Sequence, residues 1–270
     1  MTREFDFYIV PTPIGNIQDL TFRAVEVLKN VDIIACEDTR VTQKLLNHYN
    51  IKTKCISYHK YNEKERIDFF VNKLREGEKV ALVSDAGTPL ICDPGSVIIP
   101  ELIKNKFTVT SLPGACAITT FLSRIPRENE DFLFIGFIPR TEKQIKDIIL
   151  NNAAQNIVFY DSPERIIKTL KIISQYRNNP QIALGRELSK LFEEILIDST
   201  DNVIDHFKNG VKGEIVCMIY ADQNPASANL LTQIEILKDK GFKDKEISVI
   251  LSSLFGYNKN EIYKQTLNLN

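Results

Sequence analysis

Two short stretches concentrate residue types that can bind or move charge. Glu37-Asp38-Thr39-Arg40 sets two carboxylates beside a guanidinium, and Asp85, Gly87, Thr88, Pro89, Asp93, Pro94 and Gly95 fall within eleven residues. Carboxylates so placed can take a proton or accept hydrogen bonds from a ligand's hydroxyl and amino groups, while an arginine pairs with phosphate or carboxylate. Each stretch also has a plainer reading. Asp38 or Thr39 serves as a helix N-cap, with Arg40 paired to a surface carboxylate. The stretch from Asp85 to Gly95 is equally readable as a rigid surface turn, because Gly and Pro mark turns everywhere. His59 can act as a base or a nucleic-acid contact, or hold a purely structural place.

The elements that position these residues follow from the apolar pattern. Residues 79–84 form a short β-branched run closed by a polar loop, which is how a buried parallel strand reads where it ends at a functional edge. Asp93 and Pro94 fit the N-cap and first turn of a helix reaching Lys104. Residues 31–36 form another apolar strand that delivers Glu37 to Arg40 to its C-terminal end. Residues 5–10 make the first strand, followed by the loop Pro11-Thr12-Pro13-Ile14-Gly15-Asn16 and a helix from about Leu20 with apolar Phe22, Val25, Val27 and Leu28. Asn62 with Glu65 has the spacing of a capping box for a helix to Glu76. Residues 107–112 form a further strand, and Pro113-Gly114-Ala115-Cys116-Ala117 opens a helix of small residues that let a ligand approach the backbone. Ligands sit at such strand-end loops in open α/β sheets. The first loop has one glycine and two prolines, so it is no G-x-G-x-x-G fingerprint, and G-x-x-x-x-G-K-[ST] occurs nowhere.

Bulk properties narrow the class. With 270 residues, 43% hydrophobic and 26% charged, the chain can bury one large core or two ordinary ones. A formal net charge of -1 argues against a uniformly basic surface, although a local basic cleft would leave that total unchanged. Cys36, Cys55, Cys92, Cys116 and Cys217 are scattered without paired spacing, which speaks against zinc and disulfide frameworks. The apolar run near the N-terminus is too short for a signal peptide, and no run approaches a membrane span, so the expectation is a soluble cytoplasmic protein.

Residues 124–131, RIPRENED, mark a boundary between a first α/β domain at 1–124 and a second at 125–222. In the second, residues 132–138 and 156–160 read as strands, Thr141 to Gln144 as a capping box, and Ser162-Pro163 as the start of a helix through Leu170 and Ile173. Residues 181–188, 193–198 and 213–220 follow as strands around one short helix near Val203 to Phe207, a pattern that predicts a mixed sheet with antiparallel pairs. After a polar linker at 222–229, residues 229–270 read as short helices turning at Gly241 and Gly256, in the manner of a helix-turn-helix. Their lysines are offset by acids, so a helical cap or dimer contact suits them as well as nucleic-acid binding does.

The chain carries YIVPTPIGN at 8–16, ACEDTR at 35–40, VSDAGTPLICDPG at 83–95 and LPGACA at 112–117. GFIPR at 136–140, FYDSPERI at 159–166, GRELSK at 185–190 and GEIV at 213–216 follow in order. Together they resemble the tetrapyrrole-methylase-like class of S-adenosyl-L-methionine methyltransferases, and within it the RsmI-type branch of 16S ribosomal RNA (cytidine 2′-O)-methyltransferases. The resemblance implies two α/β domains of the tetrapyrrole methylase type with the donor cleft between them, a small helical C-terminal segment, and a homodimer. It implies donor contacts at Ile14, Asp85, Ala86, Thr88, Pro89, Leu90, Cys116, Ala117, Tyr160, Gly185 and Gly213. Departures from the family pattern are Cys92 where Asn is common, Ala115 where Pro is common, and Asp161 and Glu164 in a segment that commonly reads ESPHR.

Such a donor carries its methyl on a sulfonium and reacts by in-line displacement, so holding nucleophile, methyl and sulfur collinear is the enzyme's main task. A ribose 2′-hydroxyl gains from a proton acceptor, for which Glu37, Asp38 and His59 are candidates. Arg40, Arg186 and Lys190 are available for phosphate, with Arg40 and Arg186 expected to hold RNA or the catalytic carboxylate. The implied substrate is a cytidine of 16S ribosomal RNA in the decoding region of the small ribosomal subunit. A small-molecule tetrapyrrole-type methylase and a non-catalytic nucleic-acid-binding module are the alternatives.

Overall fold

The computed structural model describes residues 4–93, 95, 97–128, 130–222, 225–255 and 257–268. The chain divides into two compact units, Met1–Arg124 with Arg186–Glu194, and Ile125–Gly185 with Ile195–Asn270.

The first unit is a parallel sheet built from β1 (Phe7–Ile9), β2 (Ile33–Cys36), β3 (Lys54–Ser57), β4 (Val80–Val83) and β5 (Val109–Ser111), in the order β3-β2-β4-β1-β5. Strand alternation splits its apolar side chains between two faces. Tyr8, Val10, Ile34, Cys36, Ala81 and Val83 form one core with Ala24 and Leu28 of α1 (Phe22–Asn30) and Leu46 of α2 (Thr39–His48). Phe7, Ile9, Ile33, Ala35, Val80 and Leu82 form the other with Phe70 and Leu74 of α3 (Glu63–Arg75) and Ile98 and Leu102 of α4 (Ile98–Lys104). Burying side chains of this size stabilises the sheet by about 1.5–3 kcal/mol each. Thr21 caps α1 by accepting the Ala24 N–H at 3.1 Å, so the helix starts at Phe22, two residues past the expected Leu20, and Phe22 stands 96% exposed.

Crossovers place the ligand edge. From β2 the chain turns outward to β3, whereas from β4 it crosses β1 to reach β5. The loops after β2 and β4 therefore diverge and leave a crevice at the C-terminal ends of these neighbouring strands, the switch point of an open sheet. The expected Asp93-Pro94 helix start is not what forms: α4 begins at Ile98 with Val97 as N-cap, and Pro94 lies outside the described residues. Leu90 and Cys92 adopt φ of 70° and 71°, and Gly95 one of 126°, so the chain cannot enter a right-handed helix there. The capping box at Asn62 and Glu65 is likewise absent. Asn62 Oδ1 accepts the His59 N–H at 2.8 Å and its Nδ2 donates to the Ser57 carbonyl at 3.2 Å, tying down the preceding turn instead of the helix end.

The second unit is a mixed sheet of β6 (Phe132–Phe137), β7 (Asn156–Asp161), β8 (Gln181–Arg186), β9 (Glu194–Ser199) and β10 (Ile215–Ile219), in the order β6-β7-β10-β8-β9. β6 runs parallel to β7, and β10 antiparallel to it. β8 stops at Arg186, two residues short of expectation, because Glu187 and Ser189 take φ of 50° and 66°. α6 (Glu142–Asn151), α7 (Ile166–Arg177) and α8 (Thr200–His206) pack Ile145, Ile149, Leu170, Ile173 and Val203 on one face of the sheet. Thr141 caps α6 as expected, its Oγ1 accepting the Gln144 N–H at 3.4 Å, but the box is only half made, because Gln144 Oε1 accepts from the Thr141 hydroxyl at 2.7 Å rather than from the cap's own N–H. Ser162-Pro163 does not open α7. The Ser162 carbonyl accepts from Arg165 and Ile166 N–H in a turn, and the helix starts after it. The helices α9 (Pro225–Asp239), α10 (Asp244–Phe255) and α11 (Lys259–Asn268) enclose a small core of Leu230, Ile234, Ile247, Leu251 and Ile262. α9 reaches back into the expected linker, whose residues 223 and 224 lie outside the described residues, as does Gly256.

Asp161 anchors this unit's loops. Its side chain, fully buried, accepts from Thr169 Oγ1 at 2.6 Å and Ser162 N–H at 2.9 Å, and lies 3.5 Å from Arg165 Nε. Arg165 in turn donates to the Ile138 and Pro139 carbonyls at 3.1 and 2.7 Å, which fixes GFIPR against FYDSPERI. Asp161→Ala leaves Thr169, itself 2% exposed, without its acceptor, and is expected to destabilise the protein by about 1–3 kcal/mol. Urea denaturation checks this: a shifted midpoint is expected, and an unchanged midpoint refutes the anchoring role.

Candidate functional site

Three strand-end loops of the first unit are stitched into one surface. Thr12 and Gly87 exchange both backbone hydrogen bonds, at 2.8 and 2.9 Å, as an isolated antiparallel bridge. Beneath it, Thr12 Oγ1 donates to the Ser84 carbonyl at 3.0 Å and Ser84 Oγ donates to the Gly87 carbonyl at 3.1 Å. Thr12 and Ser84 are each 3% exposed, so these bonds are shielded from water. Thr88 Oγ1 then donates to the Ala115 carbonyl at 3.0 Å, which brings in the third loop. The joins demand small residues. Gly87 has φ of 81°, and a Cβ on Gly114 would lie 2.6 Å from Pro11 Cβ. Ile14, Asp85, Ala86, Thr88, Pro89, Leu90, Cys116 and Ala117 thus share this surface or border it. Tyr160, Gly185 and Gly213 belong to the second unit: Tyr160 on β7 opposite Val216 with Phe134 and Phe137 against its ring, Gly185 buried on β8, and Gly213 just before β10 with φ of 93°.

At the β2/β4 crevice the acids converge, and their protonation differs. Asp38 is the N-cap of α2, accepting the Arg40 N–H at 2.8 Å, and the Arg40 guanidinium grips the same carboxylate at 3.0 and 2.7 Å. These bonds hold the Asp38 carboxyl down at about 2. The plain capping role is therefore real, and Arg40 pairs with the cap itself. The Asp38 N–H donates to Asp85 Oδ1 at 3.1 Å, linking the EDTR segment to the loop after β4. Partial desolvation, with the Asp38 charge adding to it, raises the Asp85 pKa, while that N–H lowers it. Burial and the Asp85 charge raise Glu37, with His59 pulling the other way. Asp93, read in sequence as a helix cap, is the residue that pattern reasoning missed. Burial, then the charge of Glu37, pushes its carboxyl up to about 6 against a lowering bond from Ser84. Its presence with Asp85 in one glycine- and proline-rich loop was the available signal.

Elsewhere, Arg186 Nε pairs with Glu194 at 2.6 Å, and Lys190 pairs with Glu187 at 2.9 Å. The His59 N–H is held by Asn62, and its Nδ1 is buried without a hydrogen-bond partner. Among the described residues no group of three His, Cys, Asp or Glu side chains stands close enough to hold a metal ion. No helix among them is long and apolar enough to cross a membrane.

Beside the stitched loops lies a cavity of about 470 Å³ lined by Ile14, Gly114 and Ala115 together with the polar Asn16, Asp19, Thr21, Thr120 and Ser189. The segment from Glu187 to Glu193 packs onto the first loop here. The Asn16 N–H donates to Ser189 Oγ at 2.9 Å, and Ser189 Oγ donates to Asp19 Oδ2 at 2.6 Å. A Cβ on Gly15 would meet Lys190 Cγ at 2.5 Å, so the approach depends on that glycine.

Residues 6–204 match the family model of the tetrapyrrole (corrin/porphyrin) methylases. A ribosomal RNA small subunit methyltransferase I of Hydrogenobaculum sp. (strain Y04AAS1) is 43% identical over 78% of this chain and 94% of the relative. The protein of that name from Buchnera aphidicola subsp. Acyrthosiphon pisum (strain APS) is 39% identical over 96% and 95% of the two chains. Among solved structures, diphthine synthase superposes with a TM-score of 0.64 at 12% identity, covering 83% of this chain and 94% of that one. The cobalt precorrin-4 methyltransferase CbiF superposes with a TM-score of 0.58 at 14% identity over 78% and 93%; at such identities the likeness shows the fold alone.

Asp93 yields a pH dependence. Its pKa of about 6 lies above the unfolded value of about 3.9, so its stabilising effect is full below about pH 4 and is lost as pH rises through 6. Asp93→Asn should remove on the order of 2 kcal/mol of that pH-dependent loss. Urea midpoints from pH 4 to 8 for both proteins measure it, and parallel curves would contradict the burial of this carboxyl.

Proposed function

The chain belongs to the tetrapyrrole (corrin/porphyrin) methylases and, among them, to the ribosomal RNA small subunit methyltransferase I family, and we propose that it methylates the ribose 2′-oxygen of a cytidine in 16S ribosomal RNA of the small subunit, using S-adenosyl-L-methionine. The observation that carries this reading is the acidic crevice at β2 and β4, set beside three loops whose backbones are locked together. When bound, the donor supplies an electrophilic methyl on a cationic sulfur. Carboxylates raised in pKa by burial and mutual repulsion are eased by a cationic partner, and Glu37, Asp85 and Asp93 offer such surroundings. This charge pattern suits a donor bearing a sulfonium and an ammonium group.

The residues then divide by role. Asp85 accepts hydrogen bonds from donor hydroxyl or amino groups, and Ala86, Thr88, Pro89, Leu90, Ile14, Cys116 and Ala117 shape the surface around it. Asp93, pushed up to about 6, suits proton acceptance, since a base works best with a pKa near the working pH, and burial raises Glu37 in the same direction. Asp38, held at about 2, is the weaker base. It positions Asp85 through its N–H, and Arg40 fixes it in place. Arg40 has 87% of its side chain exposed, and with Arg186 it suits phosphate contacts of RNA. A cytoplasmic homodimer completes the proposal. Exposed Leu254 and Phe255 at the end of α10, at 70% and 53%, support a contact with a second copy.

Transfer to purified small ribosomal subunits under single-turnover conditions, with donor affinity followed by calorimetry, tests the assignment. Asp85→Ala should weaken donor binding tenfold or more with the fold intact. Glu37→Gln should weaken donor binding less than Asp85→Ala does while slowing transfer at saturating donor by about 100-fold, the lower end of general-base contributions. Unchanged donor affinity in the first variant, or a wild-type rate in the second, would overturn its role.

A further inference from the structure

Apart from Ile14, which borders the donor surface, the residues lining the cavity beside the stitched loops have no role given above. Its one charged group is the Asp19 carboxylate, and neither lysine nor arginine lines it, so it is ill suited to phosphate. Its size lies within the range of sites that enclose a small planar ligand. Its lining combines the apolar Ile14 and the small Gly114 and Ala115 with the polar side chains of Asn16, Asp19, Thr21, Thr120 and Ser189. That combination suits a neutral heteroaromatic ring bearing an amino group, apolar on its faces and hydrogen-bonding along one edge.

The carboxylate is set in advance. Asp19 closes a 3₁₀ turn, Ile17–Asp19, whose N-cap Asn16 accepts the Gln18 N–H at 3.1 Å. Ser189 Oγ holds Asp19 Oδ2, and Ser189 is itself fixed in a left-handed conformation by its N–H, which donates to Glu193 at 2.6 Å. Glu193 is in turn paired with Arg124. Among the described residues nothing bonds Asp19 Oδ1. Ser189, backed through its N–H by Glu193 and its partner Arg124, therefore orients the Asp19 carboxylate and leaves one of its oxygens available at the cavity.

We infer that this cavity receives the nucleobase of the methylated nucleotide, and that Asp19 selects cytosine by accepting from its exocyclic amino group. The inference rests on the RNA reading of the preceding section. An acidic side chain accepting from cytosine N4 is a direct readout contact, and uracil offers a carbonyl oxygen at that position, which would face the carboxylate as a second acceptor. RNA is read in this manner where a base is splayed out of its stack. Ser189 is a positioning residue, acting through Asp19.

The test compares small ribosomal subunits carrying either cytidine or uridine at the methylated position. Wild-type protein should methylate the cytidine subunit about five- to a hundredfold faster in single turnover. Asp19→Asn, which keeps shape but adds an amide donor, should slow the cytidine reaction and bring the ratio close to one, with donor affinity by calorimetry unchanged. Ser189→Ala should narrow the ratio by a smaller factor. A cytidine-to-uridine ratio as large in Asp19→Asn as in wild type overturns the inference. If wild-type protein transfers no methyl to either subunit, the RNA reading itself fails. Free cytidine and uridine titrated against donor-bound protein by NMR then read the cavity alone: equal affinities in wild type overturn the base contact, and a cytidine preference lost in Asp19→Asn supports it.

Discussion

The bridge between Thr12 and Gly87 is the constraint on which the candidate site depends. In a parallel sheet the loops at the strand ends have no ladder partners, and each would wander if its backbone groups were left to water. Here two loops far apart in sequence satisfy each other, and the buried Thr12 and Ser84 hydroxyls underpin the join. Because Thr88 then reaches Ala115, a third loop is held by the same joint. Such preorganisation matters for methyl transfer, where alignment of the reacting atoms supplies much of the rate.

Beside this rigid surface the acids are arranged in unequal states. Arg40 cancels the charge of Asp38 and leaves its N–H to hold Asp85, whereas burial and neighbouring acids raise Glu37 and Asp93, with His59 drawing Glu37 back. One carboxylate is thus spent on geometry, while burial raises Glu37 and Asp93, the latter to about 6, near the range where a base is useful. The same division recurs at the cavity, where Ser189 fixes one oxygen of Asp19 and leaves the other for a ligand.

Much of this was legible in the sequence, and the misses have physical causes. Both sheets, with their mixed and parallel characters, followed from apolar runs such as VALV at 80–83, whose burial on both faces needs no tertiary context to recognise. Capping at Thr141 was readable because the partners are three residues apart. Asn62 has the same local pattern, yet its side chain was drawn to the His59 turn, a competition that spacing does not reveal. Asp93 followed by proline looks like a helix start. Positive φ at Leu90, Cys92 and Gly95 prevents it, and that conformation is set by packing rather than by residue type. Cys92 in particular holds a left-handed position that Asn, common there in the family, tolerates better. The approach of the segment from Glu187 to Glu193 to the first loop, more than 170 residues away in chain at Ser189 and Asn16, could not be read locally at all.

Methyl transfer to a ribose of small-subunit RNA is the reaction proposed for this chain. Its most direct measurement is nucleoside mass spectrometry of 16S ribosomal RNA after small subunits from cells lacking this chain are incubated with the purified protein and isotopically labelled S-adenosyl-L-methionine. Label is expected on the 2′-oxygen of a single cytidine, as the proposed reaction requires. Label on a base, or none in RNA while a tetrapyrrole acceptor is methylated, would contradict it.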